Sequence, residues 1–441
     1  MTPVTNSARG EQTTGGEPGR NSGNPAPRGA TIAFSTLGCK LNQFESDSLA
    51  TQFRRAGYTI VAPNSVADIH VINTCTVTNR ADRKSRNLLY RSQRDHAARL
   101  TVLTGCYVDS QRDALEQTGN LIVVPNESKH SIVEIVNAYR TGELHEPRGT
   151  VFDFPIPDRE NHTRAMVKVQ DGCDNRCAFC IIPLVRGPAQ SRGADDIVEA
   201  VRQSVDSGAR EVVLTGVNMS RYRDGSTRFV DLLERCLDLD GDYRIGVSSI
   251  EPDQLPARLP ELFRHPKLCT HLHLCLQSGS QRVLEAMRRQ YSFSQYVELA
   301  EQLRGIDPLF NLTTDVIVGF PGESDGEFAQ TIDAIRRIGF GHVHTFPYSV
   351  RDGTRAARLP DQLPDRVRTE RARLVREAAV TEKRRYRERL VGTTERLLVE
   401  QVKPVNGSSP DHVRLVGFGQ HYVPIEATLA VSYTHLRAHE T

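Results

Sequence analysis

The chain has 441 residues, of which 38% are hydrophobic and 25% charged, and its formal net charge is +2. This globular composition can fill several cores, and the length suggests about three domains of ~150 residues. No apolar run reaches the ~18 residues of a membrane span, and no secretory signal is recognisable. Nine cysteines without such a signal indicate a reducing cytoplasm and ligand roles rather than disulfides. The near-neutral charge requires any nucleic-acid partner to meet a local basic patch.

The amino-terminal third is predicted to be a short tail followed by an α/β domain. Residues 1–29 are mostly Gly, Pro, Ser, Asn and Thr, which predicts a disordered tail. Residues 30–145 then alternate apolar and helical segments, which is typical of a parallel sheet covered on both faces. The predicted strands are 31–36, 69–73, 100–104 and 121–124, and the predicted helices are 43–57, 79–96 and 128–140.

Three cysteines occupy equivalent positions in this domain. Cys39, Cys75 and Cys106 each follow one of the first three predicted strands. Because ligands of open α/β sheets gather at the carboxyl ends of strands, we expect the three thiols to converge on one edge. A lone buried cysteine is usually a small hydrophobe, but that interpretation weakens for three at equivalent positions.

Residues 160–350 are predicted to form a second α/β domain. Six βα units are too few for an eight-stranded barrel, so an open, partial (β/α)6 barrel is expected, with its site at the carboxyl ends of the strands. The predicted strands are 165–169, 211–215, 243–248, 271–276, 311–318 and 342–346. The predicted helices are 195–207, 229–238, 280–288, 294–304 and 325–338.

The segment DGCDNRCAFCIIPLVRG carries the most specific signal, because it presents Cys173, Cys177 and Cys180 in a tight CxxxCxxC pattern after the first strand of this domain. Three thiolates can hold an iron–sulfur cluster with one open iron, whereas a structural zinc ion needs a fourth ligand that is not adjacent here. The other cysteines, Cys236, Cys269 and Cys275, are assigned to packing. His271 and His273 are interpreted as structural.

The carboxyl-terminal region changes composition twice. Residues 351–392 are predicted to form a highly charged linker helix, for which a solvated face is the simplest explanation. Residues 393–430 read as short strands at the start of a small, truncated β-barrel. Residues 431–441 fit no strand and are predicted to be an atypical tail.

The CxxxCxxC segment resembles the radical S-adenosylmethionine (SAM) superfamily, in which these cysteines hold a 4Fe–4S cluster whose open iron binds SAM. Three further segments resemble the family's cofactor-binding loops: LTGVN at 214–218, HLCLQSGSQRVLEAMRRQY at 273–291 and TTDVIVGFPGES at 313–324. The resemblance implies the following cofactor contacts: Gly216, Asn218, Gln277, Ser278, Gly319, Pro321 and Gly322.

The whole chain from about residue 31 to 429 resembles the methylthiotransferases, through TLGCKLNQFESD, INTCTVTNRADRKSR and LTGCY. This resemblance implies a second 4Fe–4S cluster on Cys39, Cys75 and Cys106 and a carboxyl-terminal TRAM barrel. It also implies radical removal of hydrogen from adenine C2, followed by addition of sulfur and a methyl group. CKLNQ and TVTNRADRKSR are closest to the branch that acts on threonylcarbamoyladenosine beside the tRNA anticodon.

The implied partners are tRNA, SAM and an electron-donor protein, with the enzyme acting as a cytoplasmic monomer. Basic residues beside the two cysteine loops are the expected RNA contacts, since Arg and Lys meet phosphates. These residues are Arg80, Arg83, Lys84, Arg86, Arg186 and Arg192. Two alternatives stay open: an isopentenyladenosine tRNA methylthiotransferase, and a non-catalytic, zinc-containing RNA-binding protein.

Overall fold

The computed structural model describes residues 29–94, 98–115, 120–143, 146–158, 163–405 and 412–430. The tail predicted for 1–29, except residue 29, and the tail predicted for 431–441 lie outside the described residues. Among the described helices, none combines the length and apolar character that a bilayer span requires.

The amino-terminal region is a five-stranded parallel sheet in the order β2-β1-β3-β4-β5, with helices packed against it. Its strands are β1 (Thr31–Thr36), β2 (Thr59–Val61), β3 (Ile69–Thr74), β4 (Leu100–Gly105) and β5 (Leu121–Val124). Its helices are α1 (Lys40–Arg55), α2 (Asn79–Arg94), α3 (Cys106–Ser110) and α4 (Ile132–Thr141). Every residue of β3 and β4 is buried, as expected for central strands between two helical layers. The predicted α/β class and parallel sheet are confirmed; the three-residue edge strand β2 was not predicted.

Among the described residues, the central region continues the α/β pattern with seven parallel strands in two sheets, and the (β/α)6 barrel stays a prediction. The strands are β6 (Arg164–Lys168), β7 (Gln170–Asp171), β8 (Gln190–Ser191), β9 (Glu211–Thr215), β10 (Arg223–Asp224), β11 (Thr227–Arg228), β12 (Arg244–Val247), β13 (Ser249–Ile250), β14 (His271–Leu274), β15 (Asn311–Val318) and β16 (His342–Pro347). The helices are α5 (Ile182–Val185), α6 (Ala194–Asp206), α7 (Phe229–Leu237), α8 (Leu259–Leu262), α9 (Gln281–Ala286), α10 (Phe293–Ile306) and α11 (Asp325–Ile338).

Seven of these strands form two parallel sheets, β6-β9-β12 and β13-β14-β15-β16. Ser248 connects β12 of the first sheet to β13 of the second. The pairs β7-β8 and β10-β11 are short antiparallel additions. The largest apolar core lies between the parallel strands and their outer helices. Helix boundaries follow local chemistry, since Ser324 and Glu327 form a reciprocal capping box at the start of α11.

The predicted linker helix is α12 (Asp365–Arg389), and it packs on the central region rather than standing free in solvent. Its apolar face includes Ala372 and Val375, which join the main core. Arg371 is buried and pairs with Glu323 at 2.7 Å. The charged pattern along this helix therefore hides a buried stripe.

The described carboxyl-terminal strands form one antiparallel sheet, β17 (Leu398–Pro404), β18 (His412–Phe418) and β19 (Pro424–Ala430). The sheet docks on the amino ends of three central strands. Arg244 donates to the Phe418 carbonyl oxygen at 3.0 Å, Asn311 to the His421 carbonyl oxygen at 2.6 Å, and Tyr422 to a Glu211 carboxylate oxygen at 2.9 Å. The complete TRAM barrel and the domain boundaries stay predictions.

Candidate active site

One cavity of about 1220 Å³ lies between the amino-terminal sheet, the central strands and the carboxyl-terminal sheet. All six cysteines predicted as cluster ligands line it. They form two trios, Cys39, Cys75 and Cys106 in one and Cys173, Cys177 and Cys180 in the other, and all six are free thiols. The fold thus brings to a single cavity two trios that are separated by more than sixty residues of sequence.

The first trio lies where β1, β3 and β4 end, as the sequence predicts. Gly38 (φ 110°) and Gly105 (φ 99°) precede two of its members in the left-handed region that favours glycine. A Cβ on Gly105 would lie 2.4 Å from a backbone oxygen of the neighbouring strand, and one on Gly38 would lie 3.0 Å from Cβ of Cys75. These glycines let the loops approach closely enough to gather the thiols.

The second trio lies in the loop between β7 and α5, and polar side chains from other loops reach its sulfur atoms. Arg289 Nη1 donates to Sγ of Cys177 at 3.1 Å, and Asn218 Nδ2 lies 3.6 Å from Sγ of Cys173. Burial raises the pKa of Cys180 to about 12, and it also raises the pKa of Cys177 against the opposing charge of Arg289. Without a bound metal, these buried thiols keep their protons.

A buried network of charges joins the two trios' domains. Glu45 of α1 pairs with Lys129 at 2.6 Å, with Lys168 at 3.0 Å and with Arg186 at 3.0 Å. Asp171, two residues before the second trio, pairs with Lys168 at 2.6 Å and with Arg186 at 2.9 Å. The network contains one more cation than carboxylates, so an additional anion nearby would balance it.

Arg186 is in the cavity lining, but its side chain is held by partners within the protein, and its contact with RNA stays a prediction. Its side chain is only 2% exposed, and its guanidinium is committed to Glu45, Asp171 and Asn42. Burial raises the pKa of the Cys106 thiol, and Arg186 and Lys129 oppose that rise. Arg186 therefore supports the first trio from inside the protein.

Known proteins share this organisation. Residues 167–335 match the radical SAM superfamily, and residues 31–124 match an uncharacterized protein family, UPF0004. The threonylcarbamoyladenosine tRNA methylthiotransferase MtaB of Thermotoga maritima is 35% identical over 376 residues, which cover 84% of this chain and 86% of the relative. The MtaB of Bacillus subtilis is 38% identical over 355 residues, 78% of each chain. The chain belongs to the radical SAM methylthiotransferase family.

Other similarities broaden this picture. The tRNA-2-methylthio-N6-dimethylallyladenosine synthase of Syntrophotalea carbinolica is 33% identical over 433 residues, 91% of this chain and 98% of the relative. The solved structure of TsrM, a radical SAM methyltransferase from Kitasatospora setae with cobalamin and a 4Fe–4S cluster bound, superposes with a TM-score of 0.54 at 13% identity, covering 73% of this chain and 75% of that one. That likeness concerns the fold alone.

Membership in the methylthiotransferase family makes the protein an enzyme, a transferase, and removes the non-catalytic alternative. The cofactors predicted from the sequence, two 4Fe–4S clusters and SAM, are those of the family. The trios fit them, because each offers three free thiols, one for each of three irons of a cubane, and leaves the fourth iron open. A structural zinc ion would instead require four protein ligands.

The predicted SAM contacts of this methylthiotransferase divide into two groups. Those lining the cavity are Gly216, Asn218 and Gln277, and those outside its lining are Ser278, Gly319, Pro321 and Gly322. Gln277 has φ 66°, and its buried Oε1 has no hydrogen-bond partner in the described structure. Gly319 instead uses its backbone N–H to donate to Glu323 at 2.6 Å.

The predicted RNA contacts on α2 are all exposed. Some of them line the cavity and others do not. Arg80 and Lys84 line the cavity, while Arg83 and Arg86 lie outside its lining. Arg192 is half-buried, and burial lowers the pKa of its guanidinium. The structure therefore places two of these cations at the cavity.

Sequence reasoning missed several cavity residues. His271, His273 and Cys275 were assigned structural or packing roles, yet all three line the cavity beside Gln277. Asp315 of β15 lies 3.3 Å from His273 Nε2. The signal was available, because alternate residues of β14 face the same side as Gln277. Cys236 and Cys269 are buried outside the cavity lining.

Proposed function

We propose that this enzyme adds a methylthio group to C2 of N6-threonylcarbamoyladenosine beside the tRNA anticodon. The observation that carries the proposal is the single cavity lined by both cysteine trios. A reaction that needs a SAM-derived radical and a sulfur source at one carbon atom requires both groups to face the same substrate. Several relatives that cover most of the chain bear the name of this activity.

In this proposal Cys173, Cys177 and Cys180 hold the cluster that binds SAM, and the first trio holds the second cluster. When bound, these groups supply the radical that removes hydrogen from C2 and the sulfur and methyl group that replace it. Of the predicted SAM contacts, Gly216, Asn218 and Gln277 line the cavity. Gln277 Oε1, a buried acceptor without a partner, suits a donor group of the cofactor.

The chain's own residues position these groups. Gln170 accepts from the Asn218 backbone N–H at 2.7 Å and donates to the Asp171 carbonyl oxygen at 2.7 Å, which ties the loop after β9 to the loop that bears the second trio. Arg289 donates to Cys177 and pairs with Glu251, which fixes the far side of the same loop. Radical chemistry depends on such positioning, because a misplaced hydrogen would quench the radical.

The tRNA would approach the cavity along α2, where Arg80 and Lys84 can meet phosphates. Arg83, Arg86 and Arg192 remain predicted contacts around this route. An electron-donor protein, a monomeric state and a cytoplasmic location complete the proposal. These three features rest on the family resemblance and on the substrate.

The alternative substrate is isopentenyladenosine, because relatives acting on dimethylallyladenosine are also similar over most of the chain. The two substrates differ in the group on N6 of adenine: threonylcarbamoyl carries a carboxylate and a hydroxyl, whereas isopentenyl is apolar. The choice therefore depends on the polarity of the cavity wall.

Nucleoside mass spectrometry tests the proposal directly. A strain that lacks its own methylthiotransferases would be complemented with this chain, and tRNA nucleosides would be analysed. We expect methylthio-threonylcarbamoyladenosine, and its loss with Cys177→Ala at equal protein level. A methylthio mark on isopentenyladenosine alone would contradict the proposal.

A further inference from the structure

Five basic residues from three parts of the chain surround one side of the cavity. They are Lys40 of α1, His342 and His344 of β16, and Lys383 and Arg387 of α12, and all of them line the cavity. We call this set the basic wall. It lies beside the carboxyl-terminal sheet, since Lys40 Nζ lies 5.5 Å from the centre of the Tyr422 ring. Binding sites between domains commonly form in this way.

Within the described ranges, the lysines and the arginine of the basic wall are not neutralised by direct ion pairs. Among the described residues, Lys40, Lys383 and Arg387 form no ion pair with a carboxylate, although most other cations of α12 do. The imidazoles of His342 and His344 contact each other with ring centres 4.4 Å apart. Asp315, a carboxylate of the cavity lining, acts on His344 and also lies 3.3 Å from Nε2 of His273.

The titration of these groups agrees with an unbalanced positive field. Burial, together with the nearby His344, Lys383 and Arg387, lowers the pKa of His342 to about 4. The pKa of His344 is lowered by burial, His273, Lys40 and Lys383, with only Asp315 opposing. A bound anion would relieve this mutual repulsion.

We propose that the basic wall binds the carboxylate of the threonylcarbamoyl group on the substrate adenine. The inference rests on the proposed function and explains how the enzyme would distinguish this substrate from one with an apolar N6 substituent. The two trios and the basic wall line the same cavity, so the adenine and the carboxylate of one substrate can reach both. Desolvating Lys383 and Arg387 for an isopentenyl group would leave their charges unpaired, which disfavours that substrate.

RNA phosphates are the competing source of an anion, and the experiment separates the two. Binding of the reconstituted holoenzyme would be measured with three anticodon stem-loops that differ only at the target base: adenosine, threonylcarbamoyladenosine, and its carboxyl methyl ester. We expect the wild type to bind the carboxylate RNA about 10-fold or more tightly than the ester, as for a charge-assisted hydrogen bond. Equal binding of the two would overturn the proposal.

The variant Lys383→Gln/Arg387→Gln should lower affinity for the carboxylate RNA to that of the ester and change adenosine RNA by no more than about 2-fold. Lys383→Arg should retain the preference, and Arg384→Gln, an exposed cation of the same helix, is the matched control. If the double variant lost affinity equally for all three RNAs, the basic wall would be a phosphate-binding surface, and the proposal would be overturned.

Failure of the proposed function has a different signature. A wild type that prefers the carboxylate RNA but forms no methylthio product on it would leave the basic wall in place and refute the activity. A wild type that forms the product while the double variant shows no selective loss would refute the wall alone.

Discussion

Burial raises the pKa values of cysteine side chains around the cavity. It raises the pKa of both Cys75 and Cys180 to about 12, so these thiols stay protonated near neutral pH until a metal displaces their protons. Burial also raises the pKa values of Cys177 and Cys106, where Arg289 and Arg186, respectively, oppose the rise. The two trios therefore share a design: buried thiols with one nearby guanidinium.

Each trio should hold its own cluster. Because the trios belong to different parts of the fold, Cys106→Ala and Cys177→Ala should each reduce iron in the anaerobically reconstituted protein from about eight to about four atoms per chain. Cys236→Ala is the control, since Cys236 lies in the apolar core. Iron and sulfide analysis measures the result. Loss of all iron in both variants would show that the sites are not independent.

Among the elements, the carboxyl-terminal sheet has a titratable contact with the central region. His421 bridges Glu395 and Asp307, the latter at 3.0 Å. Burial would lower the pKa of His421, but the two carboxylates outweigh it and raise the pKa above its usual value. The imidazolium thus contributes stability that is fully present below pH ~6.5 and is lost as pH rises through the raised pKa.

Docking of this sheet should therefore weaken as the pH increases. We expect amide hydrogen exchange in β18, corrected for intrinsic rates, to accelerate between about pH 6 and pH 9. His421→Gln should abolish this pH dependence, and His412→Gln, an exposed residue at the start of β18, should preserve it. A pH response that survives in His421→Gln would refute the role of this bridge.

For the whole molecule, the buried network around Glu45 fixes one α/β domain against the other. Its five charged groups come from α1, the segment before α4, β6, β7 and the end of α5. Both trios adjoin it, so the geometry of the cavity depends on these contacts. A change there acts on the site without touching a substrate.

Removal of one partner should be costly. Glu45→Gln leaves three buried cations facing one carboxylate, and we expect it to lower the free energy of unfolding by about 3–5 kcal/mol. Denaturant unfolding measures the loss, with Glu134→Gln on the exposed face of α4 as control. Adding Lys129→Met should recover part of the loss, because one charge of each sign is then absent. A cost no larger than that of the control would contradict this account.

Features that depend on local sequence order could be predicted, whereas contacts between residues that are distant in the sequence could not. Cys39, Cys75 and Cys106 could be placed because each follows an apolar strand, and parallel strands end together. The buried position of Arg186 could not be predicted, because its partner Glu45 lies 141 residues away in the sequence. The cavity position of Lys383 and Arg387 could not be predicted for a related reason. Charged residues occur on all sides of α12, and only tertiary packing decides which of them face the cavity.

The order in which the cavity walls are synthesised has a consequence for maturation. The first trio belongs to the earliest strands, the second follows, and Phe418 to Pro424 complete the lining only at the end. During synthesis all six cysteines emerge before residues 418–424, so the cavity is open on the side that those residues line until they are made.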